Sequence, residues 1–96
     1  MIRHVVLMKF KEGVNETRFV DLENGLKALP SIIPEIKSYE FGLDVVRSER
    51  SYDFGLVSGF ENLEALKQYQ EHPDHLEVLK IIKELCENII AVDFTC

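Results

Sequence analysis

Apolar residues recur every second position in some stretches of this chain and every third or fourth in others, with Gly, Pro and Asn at the changes of rhythm. From Ile2 to Lys11, β-branched and aliphatic residues cluster ahead of Gly13, which predicts a strand. Alternation puts Ile2, His4, Val6, Met8 and Phe10 on one side of it, and Val5 and Leu7 on the other. Both sides of its middle are apolar, so the strand should be covered on both faces. Asn15 is placed to cap a helix over Glu16 to Leu29, where Phe19, Leu22, Leu26 and Leu29 form a stripe. Pro30 and Pro34 should end that helix, leaving Ser31 to Glu35 as a turn.

Lys37 to Leu43 alternates again, with Tyr39, Phe41 and Leu43 on one side. The charged stretch Arg47 to Ser51 reads as a loop, and Tyr52 to Phe60 as a third strand. That strand carries Tyr52, Phe54, Leu56 and Phe60 on one face and Gly55, Val57 and Gly59 on the other, where missing side chains let another layer approach. Asn62 can cap a short helix through Tyr69 and Gln70, and Pro73 opens a second segment to about Glu87 with the stripe Leu76, Leu79, Ile82 and Cys86. Ile89 to Thr95 closes the chain as a strand.

Strand, helix, strand, strand, helix, strand is the split βαβ order, so the expected fold is α+β: a ferredoxin-like βαββαβ unit with a four-stranded antiparallel sheet. Helices would cover one sheet face and form with it a pocket lined by Val6, Met8, Leu22, Leu26, Phe54, Leu56 and Leu79. The opposite face would show Val5, Leu7, Val57, Ile90, Val92 and Phe94 to water, an apolar patch that two copies would hide by pairing into a homodimer. At 96 residues the chain fits one domain of roughly 100–150 residues. A chain so short buries only about 60–70% of its unfolded surface, which makes pairing a natural source of further burial.

Charge narrows the partners. Seventeen acidic against eleven basic residues give a net charge of −6, and the basic residues are scattered, which argues against nucleic acid and anionic membrane surfaces. The apolar run Val5 to Met8 is too short for a membrane span or a leader and is followed by Lys9 and Lys11. Cys86 and Cys96 have neither zinc-site nor disulfide-framework spacing, so a reduced, cytoplasmic setting is expected. Cys86 reads as a small core residue. His72 and His75 stand three apart, but Pro73 intervenes and no carboxylate or cysteine supports them; no metal and no cofactor are expected. His72 reads as a cap or flank of the helix start in solvent.

Candidate chemistry rests on His4, Tyr69 and His75. His4 faces the helices between Ile2 and Val6, where a buried imidazole needs a hydrogen-bond partner; it is either a satisfied core histidine or a pocket group. His75 follows Tyr69 by six residues across the break at Pro73, so a bent connection could aim both into one cavity. There His75 could withdraw an acidic proton, Tyr69 polarise the adjacent carbonyl and His4 orient the molecule. Equally, Tyr69 and His75 could merely tie the helix break together.

The segments Arg3-His4-Val5-Val6-Leu7-Met8-Lys9-Phe10-Lys11, Ile32-Ile33-Pro34, Gly42-Leu43-Asp44-Val45, His72-Pro73-Asp74-His75 and Val92-Asp93-Phe94 resemble, in this order over nearly the whole chain, the stress-responsive A/B barrel family. The resemblance implies a dimeric α+β barrel in which two sheets close on one another. Some members are polyketide cyclases, whose catalytic tyrosine and histidine match Tyr69 and His75 and whose first-strand histidine matches His4; a further cavity histidine of theirs falls at Phe54. Two functions are therefore carried forward: a homodimer holding a small organic molecule in each subunit, and a cyclase or lyase using the His/Tyr pair on a carbonyl compound. A haem-handling role, by analogy with other dimeric α+β barrels, finds no ligand motif.

Overall fold

The computed structural model describes residues 1–96, in the order β1 (Ile2–Phe10), α1 (Glu16–Ile32), β2 (Ser38–Leu43), β3 (Phe54–Phe60), α2 (Leu63–Glu71), α3 (Pro73–Leu85) and β4 (Cys86–Thr95). The four strands form one antiparallel sheet ordered β2-β3-β1-β4, the ferredoxin-like arrangement expected from the pattern. β1 is central, hydrogen-bonded to β3 along one edge and β4 along the other, and its middle is apolar on both faces, with Val6 and Met8 toward the helices and Val5 and Leu7 on the open side.

Register divides the sheet into rungs. On the helix side, Tyr39, Ser58, His4 and Asp93 stand side by side across the four strands; the next rungs are Phe41, Leu56, Val6, Ala91 and then Leu43, Phe54, Met8, Ile89. The open side carries Glu40, Val57, Val5, Val92 and Gly42, Gly55, Leu7, Ile90. Gly59 has a packing reason of its own, since a Cβ there would lie 2.4 Å from Ser38 Oγ, which accepts from Arg3.

Asn15 caps α1 as expected, its side chain accepting from Thr17 and Arg18 N–H. Pro30 does not end the helix. It stands in the last turn, where its missing N–H leaves only the Leu26 carbonyl unserved, and the ladder runs on to the Ile33 N–H bonded to the Leu29 carbonyl. Pro34 is the true stop: Ile33, the residue before it, is extended at φ −108° and ψ 101°. Strands β2 and β3 start later than the alternation suggests, at Ser38 and Phe54, and Leu43 at the end of β2 is exposed.

α3 also turns a different face inward. Its buried stripe is Val78, Ile82 and Leu85; Leu76 is exposed, and Cys86 is buried as the first residue of β4, not as a helical one. That face meets α1 closely: a Cβ at Gly25 would come within 2.9 Å of Val78 Cγ2. The core under the helices joins Met8, Leu22, Leu26, Leu29, Ile33, Phe54, Phe60 and Tyr69 with that stripe. No helix is long and apolar enough to cross a membrane.

Candidate functional site

The corner between α2 and α3 is built by local sequence. His72 is extended, caps α3 by accepting the Asp74 N–H on Nδ1 at 3.1 Å, and precedes Pro73, whose fixed φ suits the first helical position. Tyr69 ends α2 on one side of the corner and His75 opens α3 on the other. Their rings meet with centroids 4.3 Å apart. His4, directly below on β1, has its ring centroid 6.3 Å from that of Tyr69.

Beneath the corner lies a cavity of about 290 Å³, lined by His4, Val6, Met8, Leu26, Leu56, Tyr69, Gln70, His75, Leu79, Ile82, Ile89 and Ala91. Its walls are mostly apolar and its polar groups converge on one end. The volume is at the small end of the roughly 300–1,000 Å³ usual for ligand pockets. A more open groove of about 390 Å³ runs between α1 and α3 past Arg18, Asp74, Glu77 and Lys80, but it gathers no histidine or tyrosine.

Of the pocket residues read from the sequence, Val6, Met8, Leu26, Leu56 and Leu79 stand on this wall, together with His4, Tyr69 and His75. Leu22 and Phe54 do not. Leu22 lies one turn before Leu26 and is sealed in the core, while Phe54 packs toward the β2 edge against Phe10, Phe19 and Phe41 at centroid separations of 6.1, 6.0 and 5.9 Å. The open-face residues Leu7, Ile90, Val92 and Phe94 are 37–57% exposed, and Val5 and Val57 are half-buried.

Two site groups went unread in the sequence: Asp93 and Tyr39. His4 is buried and its Nδ1 pairs with the Asp93 carboxylate. A carboxylate can only accept, so Nδ1 carries a proton and Nε2 is the other ring nitrogen. Tyr39 and Tyr69 join hydroxyls at 2.8 Å. Both belong to the polar rung, and the signal for them was the inward phase of Asp93 between Val92 and Phe94 and of Tyr39 before Phe41.

His75 Nδ1 donates to the Gln70 carbonyl at 3.2 Å, which leaves Nε2 with the lone pair in the neutral ring. Burial lowers its pKa below the ordinary histidine value; the Gln70 carbonyl opposes this, and His4 and His72 add to the lowering. His75 is therefore a neutral base at pH 7. Burial pushes the Tyr69 hydroxyl up to about 12, partly offset by the hydrogen bond shared with Tyr39, so Tyr69 is a proton donor at neutral pH. Burial, with the Asp53 charge, raises the Cys86 thiol to about 11, which keeps it from acting as a thiolate. The arrangement can thus hold a compact apolar molecule with a neutral base and a phenolic donor at its polar end.

Residues 2–96 match the model of the stress responsive A/B barrel domain. The chain is 30% identical over 95 residues to the stress-response A/B barrel domain-containing protein HS1 of Arabidopsis thaliana, covering 97% of this chain and 87% of that protein. It is 26% identical over 96 residues to olivetolic acid cyclase of Cannabis sativa, covering 98% and 95% of the two. A dimeric ferredoxin-like protein from Thermobifida fusca superposes with a TM-score of 0.89 at 34% identity, covering 99% of this chain and 90% of that one. By fold, family match and relatives together, the chain belongs to the stress-responsive A/B barrel family.

Proposed function

We propose that the protein is a homodimer in which each subunit holds one small, largely apolar molecule in the cavity under the α2–α3 corner, with an oxygen of that molecule set against Tyr69 and His75. The observation that carries this reading is the convergence of His4, Tyr69 and His75 on a single cavity whose remaining walls are mostly apolar. Pairing is supported by the apolar open face and by the dimeric state of the Thermobifida relative.

A second reading goes further along the same line: acid–base chemistry on a carbonyl compound. It is favoured by one specific feature, the neutral His75 in ring contact with a protonated Tyr69. Here His75 Nε2 removes a proton α to the carbonyl while the Tyr69 hydroxyl donates to the oxygen on which charge develops. His4, held by Asp93, orients the molecule from below. The relative named as a cyclase lends this reading support.

Beta-tetralone, a compact bicyclic ketone with an activated α-proton, tests both. Its binding is read from ligand-detected NMR and its α-proton exchange in deuterated water from loss of the proton signal. Saturable binding with accelerated exchange, lost in His75→Ala and kept in Glu49→Ala, a variant of an exposed loop residue, supports the enzyme reading. Binding without acceleration rejects the enzyme and leaves the binding protein. Absence of binding rejects the cavity assignment itself.

A further inference from the structure

The cavity wall explains what His4, His75 and Tyr69 can do, but it leaves Tyr39 without a role. Tyr39 is half-buried on β2, outside the cavity, and reaches it only through its hydroxyl contact with Tyr69 at 2.8 Å. A phenol carries one proton. In a hydroxyl pair, either Tyr69 donates to Tyr39 and turns its own proton away from the cavity, or Tyr39 donates to Tyr69 and leaves the Tyr69 proton free to point inward.

Around Tyr69, β1 offers His4 with its Asp93 partner from β4, α3 offers His75, β3 offers the Phe60 ring and, in the same rung, the Ser58 hydroxyl, which donates to the His4 carbonyl at 3.4 Å, and β2 offers Tyr39. His4 Nδ1 is committed to Asp93 and His75 Nδ1 to the Gln70 carbonyl. Tyr39 is thus the one hydroxyl in the structure's hydrogen-bond network that meets the Tyr69 oxygen. We propose, resting on the reading of Tyr69 as the cavity's donor, that Tyr39 is a positioning residue: it donates its O–H to Tyr69 Oη and thereby directs the Tyr69 O–H at a carbonyl, enol or phenol oxygen in the cavity. Burial raises both hydroxyls, so both are protonated at neutral pH and the pair shares two protons between two oxygens.

The direction of donation is measurable without a ligand. In protein labelled with fluorotyrosine, whose phenol ionises lower than that of tyrosine, the fluorine signals of Tyr39, Tyr52 and Tyr69 are assigned from Tyr→Phe variants and titrated. If Tyr39 donates to Tyr69, it stabilises the Tyr69 phenolate, and Tyr39→Phe moves the Tyr69 ionisation up. If Tyr39 only accepts, its loss moves that ionisation down; a downward or absent move overturns the proposal. The second arm uses beta-naphthol, the aromatic counterpart of the beta-tetralone enol. Tyr39→Phe should weaken its binding roughly three- to tenfold, the range of one hydrogen bond, and change it less than about twofold in a Tyr69→Phe background. Equal losses in both backgrounds would mean that Tyr39 acts on general packing and would overturn the proposal. Equal binding by wild type and Tyr69→Phe would instead reject Tyr69 as the donor, a different failure.

Discussion

The two faces of the sheet are made by the same strands, one residue out of step, and they have opposite fates. On the helix side, His4, Val6 and Met8 of β1 are buried, and a polar rung from Tyr39 to Asp93 is fully partnered beneath the α2–α3 corner. On the open side, Leu7, Ile90, Val92 and Phe94 are exposed in the single chain although they are as apolar as the core. A polar cluster inside and an apolar patch outside invert the usual placement of side chains. The proposed function gives each inversion a use: the buried polar rung would serve a ligand, and the uncovered patch a second copy.

The largest effect should come from breaking the open face. Leu7→Asp would bury an unpaired charge twice in a symmetric dimer, at about 3–5 kcal/mol each, and size-exclusion chromatography should show monomers or aggregates. Next comes Leu26→Ala, on the covered face, where Leu26 is 1% exposed. It should cost about 2–5 kcal/mol of chain stability by urea denaturation. Beta-tetralone binding should change with it, because Leu26 also lines the cavity.

A smaller change separates the polar rung from the core around it. Asp93→Asn removes the carboxylate that fixes His4 but leaves its shape. Because the Asp93 side chain is 38% exposed, the loss should be about 1 kcal/mol, seen as weaker beta-tetralone binding with thermal stability nearly unchanged. The smallest effect is that of acid. The folded-state pKa of His75 lies below its unfolded value, so its neutral form contributes stability that is fully present above the ordinary histidine value near 6.5 and is lost as pH falls through the lowered one. Thermal melts from pH 7 downward should show this decline, and His75→Gln should flatten it.

Much of this arrangement could be read from the chain. Alternation in β1 and β4 assigned both faces, and Asn15, Asn62 and Pro73 marked helix starts that the structure keeps. What could not be read depended on contacts far apart in sequence. The phase of α3, which buries Val78 and exposes Leu76, includes a close approach of Val78 to Gly25 on α1. Pro30 signalled a stop locally, yet the helix carries it at the loss of one ladder bond and stops only before Pro34. Above all, Asp93 meets His4 across eighty-nine positions, through a register that no local pattern encodes.

In the proposed function, one face of the sheet serves the ligand and the other a second copy of the chain. Its most direct test is methyl NMR of the wild-type protein with a soluble paramagnetic agent, comparing the open-face methyls of Leu7, Ile90 and Val92 with Leu22 in the core and Leu63, 65% exposed at the start of α2. The account predicts that the open-face methyls are shielded like Leu22 and unlike Leu63. Relaxation of Leu7 and Val92 as fast as that of Leu63 would contradict it.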